Sequence, residues 1–239
     1  MSARGIARPL VVVLALALLA PEAPALAQMP DPGDVKPVIE WKRIPFGAKR
    51  KRQTAAYSER HYGERTWELV GPQVIVLHYT DGTSFDPAWN HFASNARHLG
   101  ERPGVCAQFL IDTDGVIYQL VNLGTRCRHA IGMNWTSIGI EHVGTRADDI
   151  LRNRPMIRAS LRLTAWLMAR YGISWGSVIG HAEILRSPYH HERYEDWRCR
   201  THADWNRREM RTYRRKLKRT ARRLDVPIGD APVWVDNRC

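Results

Sequence analysis

Short apolar segments separated by polar turns run through the middle of the chain and predict a β-sheet. Residues 74–77 form an apolar run of strand length that ends at His78, just before a polar turn. Residues 109–121 hold two apolar segments joined through Asp114-Gly115, a pattern typical of a β-hairpin. Further short strands are predicted at residues 125–132, 137–144 and 174–181.

Apolar residues at helical spacing predict helices between these strands. Residues 53–63 have helical character and end at a glycine, as helices often do. Residues 84–100 show the same apolar spacing, again closed by a glycine. Two more helices are predicted, an apolar one at residues 155–171 and a strongly basic one at residues 203–224. The pattern therefore predicts an α/β fold, a single domain with a mixed central β-sheet flanked by helices.

The N-terminal segment has the pattern of a secretory signal peptide, which we assign to residues 1–27. Arg4 and Arg8 precede an apolar run, and Ala25-Leu26-Ala27 is a small-x-small cleavage site. The run is about half the roughly 20 residues that a membrane-spanning helix needs. We therefore expect a periplasmic or secreted protein without a transmembrane segment. The rest divides into an irregular Pro-rich linker and basic arm (28–66), the domain (67–225) and a C-terminal tail (226–239).

The cysteines and the net charge restrict the possible disulfide pairings and binding partners only partly. The four cysteines allow three pairings in an oxidising compartment, of which we expect Cys106–Cys127 with Cys199–Cys239. The formal net charge is +12, with 36 Lys and Arg against 24 Asp and Glu. In an exported protein this charge suits anionic cell-wall polymers, lipid head groups or an acidic matrix, and a solvated basic surface would have the same composition.

Two predicted strands end in histidine, and this repetition points to a metal site. His78 and His181 each follow an apolar strand and precede a polar turn. In open α/β sheets, ligands bind at the carboxyl ends of the strands. Catalytic zinc usually takes three protein ligands and leaves one position for water. The third ligand is expected in the loop after His181, where the candidates are His190, His191, Cys199, His202 and Asp204.

An activated water also needs a proton acceptor, and Glu141 is the candidate. It lies on the opposite face of its strand from Ile138 and Ile140, where a surface carboxylate would fit equally well. The adjacent Gly139 and Gly144 allow close backbone approach. A zinc deaminase acting on nucleic acid is disfavoured, because the chain has the H-x-E of that class at residues 181–183 but lacks its P-C-x-x-C run.

Six segments in order resemble the zinc-dependent N-acetylmuramoyl-L-alanine amidases of type 2, the superfamily that includes the peptidoglycan recognition proteins. They are VIVLHYT, FLIDTDGVIYQLV, RHAIG, SIGIEHVG, VIGHAEI and RTHADW, and the resemblance spans about residues 70–205. It implies a mixed sheet flanked by helices, Zn²⁺ as the cofactor, and a peptidoglycan or muropeptide substrate. Nucleic acid is not an expected partner, and we expect a monomer.

The resemblance also assigns roles to residues. It implies zinc ligands at His78, His181 and His202, although the segment around His202 lacks the Pro-Gly of the family pattern, and Cys199 and Asp204 remain alternatives. Glu141 corresponds to the glutamate that acts on the zinc-bound water. Arg200 takes the place of a lysine that polarises the scissile carbonyl. The residues expected to bind substrate are His129, Tyr79 and Asn134.

The expected activity is hydrolysis of the amide between N-acetylmuramic acid and L-alanine. The alternative is a recognition protein of the same fold that binds peptidoglycan without cleaving it. Retention of His78, His181 and Glu141 favours the enzyme, whereas the unusual third ligand favours the alternative.

Overall fold

The computed structural model describes residues 32–236 and residue 239. The signal peptide predicted at residues 1–27 lies outside the described residues. Within the described part of the chain, none of the helices combines the length and the apolar character needed to cross a membrane.

The sheet is mixed and has six strands, in the order β1-β4-β3-β5-β2-β6. The strands are β1 (Glu40–Trp41), β2 (Val74–Tyr79), β3 (Phe109–Ile111), β4 (Ile117–Gln119), β5 (Ser137–His142) and β6 (Val178–Gly180). Only the β3–β4 hairpin is antiparallel, and every other pairing is parallel. The predicted α/β class, the mixed sheet and the hairpin at Asp114-Gly115 are confirmed.

Strand β2 lies between β5 and β6, and this position determines where the functional side chains meet. Its four apolar residues are completely buried. Ile75 and Leu77 belong to the main core with the helix at residues 154–171, and Val74 and Val76 belong to a second cluster with Met133 and Ile184. The parallel register pairs His78 with Glu141 on β5 and Leu77 with Gly180 on β6. His78, Glu141 and His181 therefore all lie at the C-terminal ends of neighbouring parallel strands.

Six α-helices accompany the sheet in the part of the chain that the structure describes. They are α1 (Pro32–Val35), α2 (Ala48–Tyr62), α3 (Phe85–Ser94), α4 (Ala147–Arg152), α5 (Arg154–Tyr171) and α6 (Arg207–Arg223). Helix α5 carries most of the apolar surface that faces the core, and Gly172 ends it in a left-handed conformation, as predicted. Helix α6 begins at Arg207 rather than near residue 203, because the side chain of Asn206 accepts hydrogen bonds from the first-turn amides.

The N-terminal arm is packed against the domain over residues 40–62. Strand β1 adds to the sheet edge beside β4, and α2 ends at Gly63 as the sequence predicts. The guanidinium of Arg50 is buried and donates to the carbonyls of Phe92, Gly104 and Val105. Because a buried charge needs such partners, this anchor ties α2 to the loop that precedes β3.

Other predicted elements also differ from the structure. Helix α3 ends at Ser94 rather than Gly100, because Asn95 adopts a left-handed conformation and its side chain accepts from the amide of Gly104. Residues 125–132 do not form the predicted strand. The amides of His129 and Ala130 donate instead to the side-chain oxygen of Asn134. A side chain therefore satisfies the amides that a strand ladder would have used.

Two disulfides connect segments that are 21 and 40 residues apart in the described chain. They join Cys106 to Cys127 and Cys199 to Cys239, the pairing expected from the sequence. The first links the segment before β3 to the segment before His129. The second ties the C-terminal residue to the loop between β6 and α6.

Candidate metal centre and cleft

Three side chains converge beyond the ends of β2 and β6. The Nδ1 atoms of His78 and His181 are 3.0 Å apart. Each also faces one oxygen of Asp204, at 3.3 Å for His78 and 3.2 Å for His181. All three residues are buried, and their ligand atoms lie within 4.8 Å of one another. This is the metal-ligand group that the described residues form.

The donor set fits a zinc ion. Ligand atoms on a tetrahedron with zinc bonds of roughly 2.0–2.1 Å stand about 3.3 Å apart. The two imidazole nitrogens, and each nitrogen and the Asp204 oxygen that it faces, are separated by similar distances, although the two nitrogens face different oxygens of that carboxylate. Burial lowers the pKa of His78 to about 4, so its imidazole is neutral, the form that binds a metal. Burial opposes ionisation of Asp204, but hydrogen bonds with both imidazoles outweigh it and hold the pKa of Asp204 well below its usual range. The neutral imidazole of His78 and the carboxylate of Asp204 are thus ready to bind a cation, with the imidazole of His181 beside them.

Hydrogen bonds orient His78 on both sides. Its Nε2 lies 3.0 Å from Nδ1 of His129, and Nε2 of His129 faces the carbonyl of Ser137 at 3.4 Å. With a metal bound, donation along this chain from His78 to His129 to Ser137 would leave the lone pair of His78 Nδ1 for the metal, in place of its hydrogen bond to Asp204. The imidazole of His142 donates to the backbone carbonyl of His78 at 2.8 Å and thereby fixes the end of β2.

The loop that carries Asp204 is attached directly to the end of β6. The amide of Ala182 donates to the carbonyl of Asp204 at 2.9 Å, and the hydroxyl of Thr201 donates to the carbonyl of His181 at 2.7 Å. A Cβ on Gly180 would collide with the carbonyl of Trp205, so only glycine permits this approach. Asp204 is therefore positioned by backbone contacts rather than by a strand of its own.

The other sequence candidates for the third ligand lie outside this group. His202 is exposed, with its ring centroid 4.9 Å from that of His181. Cys199 is bonded to Cys239, so its sulfur is not a free thiolate. His190 packs against Gly132, and His191 is exposed beside Trp135. The structure thus brings Asp204, rather than the expected His202, to the two histidines.

Glu141 is buried beside the metal group and has a free oxygen. The residue is 9% exposed, and its Oε2 has no hydrogen-bond partner among the described residues. Burial, with a smaller effect of Asp204, raises the pKa of Glu141 to about 8. A buried carboxyl without a partner is unfavourable for stability. Such a group at the strand end opposite His78 is suited to proton transfer.

Two adjoining cavities form the cleft around this centre. One has a volume of about 440 Å³ and is bordered by Tyr79, Glu141 and Asp204. The other, of about 450 Å³, extends along Arg200 and the apolar side chain of Ile131. Both share a central wall formed by His98, Val105, Arg128, His129, His181 and His202. The metal group borders the first cavity with all three of its residues and the second with His181.

Some of the remaining predicted site residues line the cleft, and others do not. His129 and Tyr79 line the cleft. Arg200 is exposed, and the one hydrogen bond of its side chain to a described residue uses Nε, which donates to the carbonyl of Asp196. Asn134 does not reach the cleft, because its amide is buried and bonded to the amides of His129 and Ala130 and to the hydroxyl of Tyr62.

Arg128 is the site residue that the sequence did not single out. Its guanidinium lies in the cleft wall but donates to the carbonyls of His98, Glu101 and Pro103. It also stacks over Tyr57, 4.8 Å from the ring centroid. Arg128 therefore supports the wall, and Arg200 is the cation in the cleft lining with free terminal nitrogens.

Known proteins match the part of the chain that forms this site. Residues 69–204 match the family model described as N-acetylmuramoyl-L-alanine amidase. N-acetylmuramoyl-L-alanine amidase A of Achromobacter lyticus is 40% identical over 75 residues, which are 31% of this chain and 42% of that protein. The chain thus matches less than half the length of this curated relative.

Solved structures are similar over comparable stretches. An endolysin amidase, LysCS of Clostridium intestinale URNW, is 21% identical with a TM-score of 0.44, over 61% of this chain and 81% of that one. AmiD of E. coli, solved as a complex, is 23% identical with a TM-score of 0.39, over 48% and 50%. Drosophila peptidoglycan recognition protein SA is 20% identical with a TM-score of 0.43, over 61% and 80%.

Proposed function

The chain belongs to the N-acetylmuramoyl-L-alanine amidase family, and from this premise we propose that it hydrolyses the amide between N-acetylmuramic acid and L-alanine in peptidoglycan or its soluble fragments. The observation that supports this most strongly is the convergence of His78, His181 and Asp204 beside the buried carboxyl of Glu141. A metal group and an adjacent proton acceptor are what amide hydrolysis by water requires.

We propose His78, His181 and Asp204 as the zinc ligands, so the assignment of His202 from the sequence is replaced by Asp204. A zinc ion bound there would acidify a water molecule and polarise the amide carbonyl. The chain's contribution is to hold three donors in fixed positions. His129 and His142 orient the first ligand, and Gly180 admits the loop of the third.

Glu141 is the proposed general base and acid. Its unpartnered oxygen takes a proton from the attacking water and returns it to the departing amine of L-alanine. Burial strengthens this role, since a carboxylate that is poorly solvated binds a proton more tightly than one in water. Without Glu141, the cleft retains its ligands, and the carboxylates left in its described lining are the ligand Asp204 and the exposed Asp81 of the turn after β2.

Arg200 and His129 have supporting roles in the proposal. The terminal nitrogens of Arg200 are free to bind the oxygen of the substrate carbonyl as negative charge develops there. His129 borders both cavities of the cleft and contacts His78, so it links substrate position to the first ligand. Tyr79 borders the cavity that contains Glu141. Asn134 positions the segment of His129 rather than contacting substrate.

Export to the periplasm or the exterior is part of the same proposal. Both disulfides join residues that are far apart in sequence, as is common in oxidising compartments. Peptidoglycan lies in those compartments, and the basic surface suits its anionic groups. The complete ligand set and Glu141 favour the enzyme over a recognition protein that only binds.

The test uses purified sacculi and the zinc-loaded full chain. We expect release of stem peptides, loss of release on chelation, and recovery when zinc is added back. Glu141→Gln is the matched variant, because it keeps the size of the side chain and removes the base. It should bind zinc and sacculi while releasing roughly a hundredth or less of the peptide. Wild-type protein that carries zinc, binds sacculi and releases nothing would rule out the proposed activity.

A further inference from the structure

The C-terminal tail lies beside helix α6, and together they form a second concave site. Its volume is about 320 Å³, and it shares no lining residue with either cavity of the cleft. We call it the cationic groove. Its lining consists of five cationic side chains, two tryptophans and a proline, namely Arg207, Arg211, Arg214, Arg215, Lys218, Trp175, Trp234 and Pro232.

The cations form a row along one face of α6. Arg207, Arg211 and Arg215 follow each other at intervals of four residues, and Lys218 comes three residues later. Side chains at such intervals are neighbours on a helix surface, about 6 Å apart along the axis. The row therefore presents regularly spaced positive charge over a length of about 16 Å.

Within the described part of the chain, four of these charges have no carboxylate partner. Arg214 is buried and paired with Glu183, and its Nε donates to the carbonyl of Val178. The other α6 pair is Arg208 with Asp148. Among the described residues, no ion pair involves Arg207, Arg211, Arg215 or Lys218. Like charges at this spacing repel one another, so the free chain retains an unfavourable interaction that a polyanion would relieve.

The tryptophans provide flat apolar surface next to these charges. Lys218 Nζ lies 4.1 Å from the ring centroid of Trp175, and the Arg214 guanidinium lies 5.3 Å from that of Trp234. Both rings are only partly buried. The backbone of Trp175 is held by a hydrogen bond from its amide to the carbonyl of Ile228. Fixed aromatic faces interleaved with cations suit a ligand made of rings that carry negative charges.

We propose that the cationic groove binds a linear anionic polysaccharide. Its sugar rings would pack against Trp175 and Trp234, and its anionic groups would pair with the row from Arg207 to Lys218. The choice of a polysaccharide rests on the proposed function, which places the chain among the sugar polymers of the cell envelope. The row begins three residues after Asp204 in the chain. A polymer bound along α6 would therefore keep the enzyme at its substrate surface between cleavage events.

The first experiment measures binding of the zinc-loaded full chain to polygalacturonate, a linear polymer with a carboxylate on every sugar. Binding should weaken steeply with added salt, and neutral dextran should not bind. The variant Arg211→Gln/Arg215→Gln/Lys218→Gln should lose roughly tenfold or more in affinity. The matched control, Arg219→Gln/Arg222→Gln/Arg223→Gln, removes the same charge from the same helix outside the groove and should lose far less. Equal losses in the two variants would overturn the proposal.

The second experiment tests the kind of polymer. Trp234→Leu should weaken binding of polygalacturonate several-fold and leave binding of polyglutamate, which has charges but no rings, nearly unchanged. Single-stranded DNA and anionic vesicles should bind more weakly than polygalacturonate. The triple variant in the groove and its control outside the groove should lose affinity for them equally. The polysaccharide assignment would be contradicted if DNA or vesicles bound more tightly than polygalacturonate and if Arg211→Gln/Arg215→Gln/Lys218→Gln, but not its control, weakened that binding. Binding is read without hydrolysis, so an inactive enzyme would leave this result interpretable.

Discussion

Gly180 and Trp205 are in direct backbone contact, and this contact brings the third candidate ligand to the other two. Gly180 ends β6 immediately before His181, and Trp205 follows Asp204 in a left-handed conformation with φ of 56°. The carbonyl of Trp205 occupies the space that a Cβ on residue 180 would need. The loop of Asp204 can approach the strand end only because residue 180 has no side chain.

Gly180→Ala should therefore separate Asp204 from His78 and His181. We expect zinc affinity to fall by roughly ten- to a hundredfold, the loss typical of disturbed support around a metal site, with a parallel loss of peptide release. Zinc affinity is measured by competition with a chelator of known strength. Gly47→Ala is the control, because a Cβ there meets nothing within 4 Å. Unchanged zinc affinity in Gly180→Ala would show that the contact does not position the ligand.

The identity of the third ligand is tested by two single substitutions. Asp204→Ala removes a buried carboxylate from the metal group and should yield protein with far less than one zinc per chain after dialysis. His202→Ala removes an exposed ring beside the group and should retain about one zinc per chain. Atomic absorption measures both. If His202→Ala loses zinc and Asp204→Ala keeps it, the ligand assignment is wrong.

The carboxyl of Glu141 should make the stability of the zinc-free protein depend on pH. Its pKa is raised from 4.5 to about 8 by burial and Asp204, so the folded state favours the protonated form. This contribution to the free energy of unfolding is complete below about pH 4.5 and is lost as pH rises through about 8. With chelator present, the melting temperature of Glu141→Gln should rise relative to that of wild type from about pH 5 to pH 9. A difference that does not change with pH would contradict the raised pKa.

His61, which is not part of the metal group, should contribute strongly to stability. Its ring is buried between two carboxylates, with Nδ1 2.9 Å from Glu192 and Nε2 3.2 Å from Glu101. His61→Phe keeps the aromatic contact with Trp197 but leaves the buried Glu192 without its ring partner. We expect a loss of about 3 kcal/mol in the free energy of unfolding, measured with denaturant. Arg65→Gln, which removes an exposed pair with Glu59, should have little effect.

The sequence predicts those residues of the site that lie on strands. The apolar run before His78, the hairpin at Asp114-Gly115 and the strand of Glu141 are each recognisable locally, because buried strands have short apolar runs bounded by turn residues. The pairing of His78 with Glu141 follows from parallel strands of similar length. An apolar run and its turn residues are neighbours in the sequence, and each run predicts a single strand.

The third ligand and the segment before Asn134 are not predictable in this way. Asp204 is placed by contacts with Gly180 and Ala182, which are more than 20 residues away in the sequence. Residues 125–132 have the composition of a strand, but the side chain of Asn134 takes their backbone hydrogen bonds. Both outcomes depend on tertiary contacts, for which a single sequence has no periodic signal.

The central claim is that water attacks one particular amide with the help of Glu141, and the products reveal which bond is cleaved. The zinc-loaded protein is incubated with a muropeptide, and the fragments are identified by mass spectrometry. We predict a muramic acid fragment with a free lactyl carboxyl group and a stem peptide with a free amine on L-alanine. Glu141→Gln should give neither fragment above background. Cleavage at another bond, or equal cleavage by Glu141→Gln, would contradict the account.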